Sequence, residues 1–370
     1  MQQLTINDTD LILERFPALP NEPLQAWDAS DELALQAHEL PVGRLLVLND
    51  HFGALACGLA ISSSESPLYW VNDSYVAHLA LAQNLARNGI EDPVTALAQV
   101  EQLDAEPAGI IIKLPRSLRL LTWQLDWLNR NLPQGTPVVI AARQRDMPST
   151  LPELTRQLLD EVRPSRAVKK ARLIYAQLSG RDSGQTETLE WPCDAVDCLL
   201  SNFPNVYGAQ RLDLGARLLI QHLGPTPQQV VDLGCGNGVL SIAALKANPG
   251  CQITAVDESW DAIRSSQRNL ERLNSPEPLT LLWNNCLSGI EDEQADLVLC
   301  NPPFHQHQTI TDHIAWQMFQ DARRVLKVGG RLRIVGNRHL GYHVKLSKLF
   351  GGCRTIASNA KFVVLESVKR

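Results

Sequence analysis

The sequence contains no run of about 18 consecutive apolar residues, the length that a membrane-spanning helix requires. Its first 16 residues are acidic overall and lack the apolar core of a secretion signal. Charged residues make up only 20% of the chain and hydrophobic residues 44%, a balance that disfavours extensive disorder. These absences predict a soluble, cytoplasmic, folded protein that has no membrane partner.

Cysteine pairs are also missing. The eight cysteines are scattered and no two form a CxxC pair, so neither a zinc site nor a disulfide framework is predicted. His305 and His307 look like a pair of metal ligands, but no acidic residue or third ligand stands at helical spacing from them. We therefore expect no metal, and we expect these two histidines to contact a substrate or solvent.

Strand-like apolar runs alternate with helical patterns in both halves of the 370-residue chain, which is long enough for two or three domains. In the second half the predicted strands are 228–234, 251–257, 279–283, 295–300, 331–336 and 362–367. In the first half they are 45–50, 68–73, 109–115 and 137–143. Short apolar strands separated by helices are typical of an α/β fold with a buried parallel sheet.

The two halves repeat each other. The predicted helix SYVAHLALAQNLARNG (74–89) matches SWDAIRSSQRNLERLN (259–274) at a constant offset of 185 residues. The matched pairs are Ser74 with Ser259, Asn84 with Asn269, Leu85 with Leu270 and Arg87 with Arg272. We interpret this as an internal duplication; the alternative is chance similarity between two α/β folds. The predicted domains are 1–176 and 192–370, joined by a polar linker at 177–191.

A glycine-rich turn, DLGCGNG, follows a predicted strand in the second half. Asp232 ends the apolar run, and Gly234, Gly236 and Gly238 bend the chain into a helix. Glycines at these positions allow a tight turn and let a ligand approach bare backbone. The GxGxG spacing differs from the GxGxxG of dinucleotide sites. Asp257 ends the next strand, where a carboxylate can accept two ribose hydroxyls, so the pattern predicts a nucleoside site.

The second motif is Asn-Pro-Pro-Phe, which directly follows the strand ADLVLC. The side-chain oxygen of Asn301 and the carbonyl of Pro302 could accept both N–H groups of an exocyclic amine and draw its nitrogen towards a tetrahedral geometry. Prolines hold that carbonyl rigidly, and Phe304 offers a face on which a flipped-out base can stack. The alternative is an ordinary turn at a strand end.

DLGCGNG followed by Asp257 resembles the class I S-adenosylmethionine (SAM) methyltransferases. The resemblance implies that the glycine loop, with Asp232 and Cys235, approaches the methionine part of SAM and that Asp257 holds the ribose. It also implies an adenine contact after the third strand, at Asn285 or, with a one-residue slip, Asn284. The full set of implied SAM contacts is Asp232, Gly234, Cys235, Gly236, Gly238, Asp257, Asn284, Asn285 and Asn301.

NPPF is similar to the signature of amino-methyltransferases, which implies catalytic roles for Asn301, Pro302, Pro303 and Phe304. Segments 205–223, 301–351 and 357–370 resemble the bacterial ribosomal RNA guanine-N2 methyltransferases, the large-subunit (23S) enzymes first and the small-subunit (16S) enzymes second. This family consists of two tandem Rossmann-like class I methyltransferase domains, of which the first is degenerate. A SAM-dependent enzyme that methylates the 2-amino group of a guanine in 23S rRNA is therefore implied. A monomer is plausible because the duplication is built in.

Two alternatives remain open. The same acceptor pair could methylate an adenine N6 amine or a glutamine N5 amide. The chain could instead be an RNA-binding assembly factor whose SAM site is vestigial, although the intact DLGCGNG and NPPF motifs argue against it.

The first copy lacks these motifs. LNDHFGAL stands where the second copy has VDLGCGNGVL, so two of the three glycines are missing. The first copy has KLPRS where the second has NPPF, with Leu114 and Pro115 aligned with Asn301 and Pro302. Asp73 is aligned with Asp257. We expect the first copy to bind no SAM and to serve as a scaffold or as an RNA-docking domain.

The net charge of −6 argues against a polybasic nucleic-acid binder, but it averages very different regions. Residues 1–112 carry 3 basic and 16 acidic residues, and residues 113–172 carry 12 and 5. Residues 185–321 carry 6 and 17, and residues 322–370 carry 12 and 1. We predict that the two basic regions contact RNA phosphates; the alternative is that their charges are scattered over separate faces.

Overall fold

The computed structural model describes residues 2–6, 9–19, 22–37, 39–62, 67–91, 94–273, 279–303 and 308–370, the side chains of 308–312 excepted. The chain divides into two compact units, unit 1 (Met1–Glu187) and unit 2 (Thr188–Arg370). In the described part of the chain, no helix has the length and apolar character needed to cross a bilayer.

Unit 1 combines one small hairpin with a seven-stranded sheet. Its elements are β1 (Gln2–Ile6), β2 (Thr9–Leu13), α1 (Ala29–Leu35), β3 (Leu45–Leu48), α2 (Ala54–Ser62), β4 (Leu68–Val71), α3 (Tyr75–Arg87), β5 (Val94–Leu97), β6 (Gly109–Lys113), α4 (Leu118–Asn131), β7 (Pro137–Arg143), α5 (Leu151–Leu158), β8 (Leu159–Pro164) and β9 (Ala171–Leu178). Strands β1 and β2 pair with each other, and the sheet has the order β5-β4-β3-β6-β7-β9-β8.

Unit 2 repeats this arrangement element by element. Its elements are β10 (Leu189–Cys193), β11 (Cys198–Asn202), α6 (Leu214–Gln221), β12 (Gln229–Leu233), α7 (Val239–Ala247), β13 (Gln252–Asp257), α8 (Trp260–Glu271), β14 (Leu279–Trp283), β15 (Ala295–Cys300), α9 (Gln308–Val325), β16 (Leu326–Asn337), α10 (Tyr342–Phe350), β17 (Arg354–Ser358) and β18 (Phe362–Val368). The sheet order is β14-β13-β12-β15-β16-β18-β17, the same permutation as in unit 1.

Both sheets are mixed, which corrects the prediction of a parallel sheet. The first five strands of each order run parallel, but β9 and β18 are antiparallel to both of their neighbours. Only three residues separate β17 from β18, and a connection this short can join antiparallel strands but not parallel ones. An apolar run such as FVVLES shows that a strand is buried and does not show its direction.

The same polar contacts recur in both units and support the duplication. The side chains of Ser74 and Ser259 cap α3 and α8 by accepting from the third helical amide, each at 3.2 Å. Near the ends of these helices, the buried side chains of Asn84 and Asn269 each link the second hairpin strand, or the residue that follows it, to the loop after β3 or β12. Asn84 donates to the carbonyls of Glu14 and Phe52. Asn269 donates to the carbonyls of Ser201 and Asn237.

The connection between β9 and β10 is shorter than the predicted linker. Strand β9 extends to Leu178 and β10 begins at Leu189, so both ends of the 177–191 stretch lie in strands. Residues between them are held on unit 1 by polar contacts. The Ser183 amide donates to Asp126 at 2.8 Å, and Arg181 pairs with Asp160 at 2.8 Å. The polar composition of this stretch therefore reflects side chains that bind unit 1, and not an extended linker.

Candidate active site

The carboxyl ends of the parallel strands in unit 2 bring the predicted motifs to one edge of the sheet. Strand β12 pairs with β13 on one side and with β15 on the other, so the glycine loop lies between Asp257 and Asn301. Open α/β sheets bind ligands at this edge, where the order of strands reverses. The predicted residues that the structure describes therefore converge as the sequence implied.

The glycine loop adopts the left-handed conformation that its glycines allow. Gly234, Gly236 and Gly238 have φ of +77°, +54° and +80°, and Gly238 is the N-cap of α7. A Cβ on Gly238 would stand 3.0 Å from the Ser266 hydroxyl, whereas one on Gly236 would meet nothing within 4 Å. The space beside Gly236 is thus open to a ligand.

Cys235 contributes its backbone to the loop and its side chain to the core. The side chain is buried in the apolar cluster beneath the loop, and burial raises the pKa of its thiol well above the ordinary value. Its amide donates to the carbonyl of Val256 at 3.0 Å, which ties the loop to β13.

Asp232 carries a buried carboxylate with one unused oxygen. Oδ2 accepts from the amide and the hydroxyl of Ser241, at 3.0 and 2.6 Å, and so holds the start of α7. Oδ1 is buried and accepts no hydrogen bond from the described residues. Burial raises the pKa of this carboxyl from 3.8 to about 6.

Asp257 connects β13 to the glycine loop. Its Oδ2 accepts from the Gly236 amide at 2.9 Å and its Oδ1 from the Ser259 amide at 3.0 Å. The residue is half-buried at the carboxyl end of β13. It therefore positions the loop as well as lying where the ribose contact was predicted.

Asn284 and Asn285 both follow β14 at the same edge. The Asn284 amide donates to the carbonyl of Asp257 at 3.0 Å, and its side chain donates to Ser288 at 2.8 Å. The side-chain oxygen of Asn285 accepts from Gln317 at 3.1 Å. Either side chain has unused hydrogen-bonding capacity, so the choice between them as the adenine contact stays a prediction.

The Asn-Pro-Pro turn begins directly after β15. The Asn301 side chain donates from Nδ2 to Oδ2 of Asp213 at 3.3 Å. Its Oδ1 is buried and accepts nothing from the described residues. Pro302 is buried and Pro303 is exposed, whereas Phe304, His305 and His307 lie outside the described residues.

Asp213 is a site residue that the sequence analysis did not single out. It is the N-cap of α6, where Oδ2 accepts from the Ala216 amide at 3.0 Å. Because a carboxylate can only accept, it orients the Asn301 amide with nitrogen inward and leaves Oδ1 available. An Asp before the helical pattern LGARLLIQ indicates a cap, but its contact with Asn301 is visible only in the fold.

The strand ladders correct the alignment of the two copies. Leu48 pairs with Ile112 in unit 1, and Leu233 pairs with Cys300 in unit 2. The residue that follows Ile112 is Lys113, so Lys113, and not Leu114, occupies the position of Asn301. Leu114 and Pro115 therefore correspond to Pro302 and Pro303.

A second one-residue shift affects the predicted ribose position. Leu48 pairs with Val71 and Leu233 with Val256, so Asn72, and not Asp73, stands opposite Asp257. Asn72 makes the same local contact, accepting from the Ser74 amide at 2.9 Å, but it carries no charge. The first copy thus lacks the acid altogether.

The edge of the sheet in unit 1 is filled by its own side chains. Lys113 pairs with Asp28 at 3.1 Å and with Asp31 at 2.7 Å, and all three are largely buried. Asn49 takes the place of Gly234 with φ of +63°, and its side chain donates to the Lys113 carbonyl and to Gln124. These contacts occupy the region that corresponds to the open loop of unit 2.

Part of the second basic region is used inside the fold. Arg333 is buried and forms an ion pair with Glu366, which also accepts from Arg354 at 2.6 Å. Arg338 and Lys361 remain exposed beside the end of β16, where the Arg338 amide donates to the Lys361 carbonyl. Among the described residues, no three His, Cys, Asp or Glu side chains are grouped as a metal would need.

Comparison with known proteins places unit 2 in the methyltransferase class. Residues 197–366 match the family described as methyltransferase small domain, and residues 1–180 match the RLMG N-terminal domain. The solved structure described as "T. Thermophilus 16S rRNA N2 G1207 methyltransferase (RsmC) in complex with AdoMet and Guanosine" superposes with a TM-score of 0.78 at 20% identity, covering 100% of this chain and 98% of that one. The shared fold is therefore a tandem of two Rossmann-like methyltransferase units.

Curated relatives define the family. The ribosomal RNA large subunit methyltransferase G of Magnetococcus marinus is 67% identical over 369 residues, covering 100% of both chains. The protein of the same name from Pseudoalteromonas translucida is 44% identical over 379 residues, covering 99% of this chain and 98% of the relative. This chain belongs to the ribosomal RNA large subunit methyltransferase G family, which confirms the predicted resemblance and the enzyme class.

Proposed function

We propose that the protein transfers a methyl group from SAM to the exocyclic 2-amino group of a guanine in 23S rRNA, forming N2-methylguanosine. The large-subunit target follows the names of the relatives, and the guanine N2 position follows the description of the T. thermophilus structure. The observation that carries the chemistry is the buried Oδ1 of Asn301, which accepts no hydrogen bond from the described residues and lies at the edge that also holds the glycine loop.

The residues of unit 2 fit SAM as the methyl donor. Gly236 leaves open space beside its Cα, Asp257 carries acceptors beside the loop, and Asp232 has a buried oxygen without a donor among the described residues. When bound, SAM supplies an electrophilic methyl group attached to its sulfonium sulfur. The transfer of this methyl group needs no metal. Asp232 would hold the cationic amino group of the donor, and Asp257 would hold its ribose.

Asn301 prepares the accepting amine. A guanine 2-amino group is conjugated with the ring, so its nitrogen is a weak nucleophile until the lone pair is localised. Oδ1 of Asn301 and the carbonyl of Pro302 would accept its two N–H groups and orient the nitrogen lone pair towards the methyl group. As the N–C bond forms, the C–S bond of SAM would break, S-adenosylhomocysteine would leave, and one amine proton would pass to solvent. Asp213 keeps the Asn301 amide in the orientation that this requires. The rate gain would come mainly from proximity and orientation.

Unit 1 would bind no SAM and would support RNA binding. The Lys113 ion pairs and the Asn49 side chain occupy the region that corresponds to the SAM site of unit 2. In unit 2, the exposed Arg338 and Lys361 beside the sheet edge supply positive charge for RNA phosphates.

Labelled SAM and unmodified transcripts of 23S and 16S rRNA test the function. After digestion to nucleosides, we expect label in N2-methylguanosine from 23S rRNA only, at one mapped guanine. Label in N6-methyladenosine, or none in guanine, would refute the proposal. Label confined to 16S rRNA would refute the large-subunit assignment alone.

A further inference from the structure

Asn337, the last residue of β16, has a buried acceptor that the function above does not use. Asn337 is only 6% exposed, and its Oδ1 accepts no hydrogen bond from the part of the chain that the structure describes. Buried side-chain oxygens normally have a donor, so one without a donor calls for an explanation such as a missing ligand.

Asn337 lies on the same face and at the same edge of the sheet as Asn301. Strands β15 and β16 are parallel neighbours, with Cys300 opposite Ile334, so both strands end at the SAM edge. Side chains alternate along a strand, which puts Asn337 on the face of Val335 and Asn301 on the face of Leu299. Val335 and Leu299 belong to one apolar cluster, on the side of the sheet that α6 covers.

Unit 1 shows that these positions converge in space. Ile112 pairs with Ile140 there, as Cys300 pairs with Ile334 in unit 2, so Arg143, three residues after Ile140, corresponds to Asn337. Asp28 is the N-cap of α1 and corresponds to Asp213. Lys113, at the position of Asn301, reaches Asp28 at 3.1 Å, and Arg143 reaches it at 3.5 Å.

We propose that Oδ1 of Asn337 accepts the N1–H of the target guanine and so selects guanine as the substrate; this inference rests on the proposed function. The edge of guanine presents three N–H donors, two on N2 and one on N1. The site offers three matching acceptors: Oδ1 of Asn301, the carbonyl of Pro302 and Oδ1 of Asn337. Each donor then has one acceptor.

The number of N–H donors also distinguishes guanine from adenine and from a glutamine amide. Adenine presents two donors on its N6 amine, and its N1 is an acceptor that would face the oxygen of Asn337. A glutamine amide presents two donors and nothing at the third position. Both would leave Asn337 unpaired in a closed site, which lowers transition-state binding.

The test uses a 23S rRNA fragment that contains the guanine mapped by the experiment above, made with guanine or with 2-aminopurine at that position. 2-Aminopurine keeps the 2-amino group but has no hydrogen on N1. We expect the wild-type enzyme to favour guanine by about 10- to 100-fold in kcat/KM. In Asn337→Ala and Asn337→Ser this preference should fall to within about threefold, because neither side chain places an acceptor at that distance. Asn337→Asp keeps an acceptor and should retain the preference.

The ratio between the two substrates distinguishes recognition from a structural role, which would lower both rates together. Calorimetry with SAM verifies that each variant keeps a folded site. An unchanged preference in Asn337→Ala or Asn337→Ser, with normal SAM binding, would overturn the inference and leave guanine methylation standing. Failure of the wild-type enzyme to methylate guanine would refute the proposed function and this inference with it.

Discussion

The two copies place different chemistry on the same backbone positions. In unit 1, Lys113 and Arg143 both contact Asp28, so the charges at the sheet edge satisfy one another. In unit 2 the corresponding residues are Asn301 and Asn337, neutral side chains that each leave a buried oxygen without a donor among the described residues. One edge is closed by its own ion pairs, and the other keeps acceptors for a ligand.

The buried carboxylates show that this divergence left the scaffold intact. In unit 2, Asp232 on the strand accepts from the Ser241 amide at 3.0 Å. In unit 1, Asp50 in the loop accepts from the Ala56 amide, at the corresponding position of the helix, at 3.1 Å. Burial is the main cause that raises the pKa of each carboxyl to about 6. The same helix start is thus held from two different points of the chain.

Removing the cation from unit 1 should have the largest effect. Lys113→Met would leave the buried Asp31 without its counter-charge and Asp28 with Arg143 as its remaining cationic partner near this edge. We expect the free energy of unfolding of unit 1 to fall by about 3–5 kcal/mol in urea titrations followed by circular dichroism. Lys169→Met is the matched control, because its ion pair with Glu32 is exposed at the lysine and should be worth about 1 kcal/mol or less. Equal losses for the two variants would contradict a supporting role for the buried cluster.

Removing the proposed acceptor from unit 2 should slow turnover strongly while leaving SAM binding nearly unchanged. For Asn301→Ala we expect kcat to fall by about 10²–10³-fold, as for other oriented polar groups that act on a reacting centre. SAM affinity by calorimetry should change little, because the proposed partner of the Asn301 oxygen is the substrate amine and not SAM. Asn131→Ala, which removes an exposed asparagine of unit 1, controls for nonspecific effects. Turnover within a few-fold of wild type would remove Asn301 from the chemistry.

The smallest expected effects concern the buried carboxylates Asp232 in unit 2 and Asp50 in unit 1. A carboxyl whose pKa is raised by folding contributes stability that is present below the unfolded value, near 3.8, and is lost as pH rises through about 6. At pH 8, Asp232→Asn and Asp50→Asn should therefore each raise the free energy of unfolding, by at most about 3 kcal/mol. The pH dependence between about 4 and 6 should weaken in both.

SAM binding should separate these two variants. Asp232→Asn removes the charge beside the donor site, and we expect SAM affinity to fall about tenfold, the effect of one charged hydrogen bond. Asp50→Asn should leave SAM affinity unchanged, because unit 1 is proposed to bind none. An equal loss of SAM affinity in both variants would mean that unit 1 also holds the donor.

Much of the catalytic edge could be predicted because its signals are local. Each motif directly follows a predicted strand: the glycine loop follows one, Asp257 ends the next, and Asn-Pro-Pro follows another. Parallel strands end at the same edge of a sheet, so the three motifs are expected to lie together. The hairpins β1–β2 and β10–β11 escaped prediction because their strands are only five residues long and partly polar. The reversal of β18 escaped because apolar runs carry no direction.

The misaligned pairs have a different cause. An alignment by residue identity matches Leu114 with Asn301 and Asp73 with Asp257, because the first choice aligns two prolines and the second aligns two aspartates. The strand ladders instead set Lys113 and Asn72 at these positions, because the pairing of strands depends on backbone hydrogen bonds and not on residue type. A slip of one residue moves every side chain to the opposite face.

The sequence by itself determined that two α/β copies exist, that only the second keeps the DLGCGNG and NPPF motifs, and that the chain resembles rRNA guanine-N2 methyltransferases. These features depend on residues close together along the chain. Only the tertiary structure decided that Asp213 contacts the Asn301 amide, that Lys113 and Arg143 occupy the equivalent edge of the first copy, and that Asn337 ends its strand at the same edge as Asn301 with a buried oxygen. These placements are set by strand register and helix packing, which no local pattern encodes.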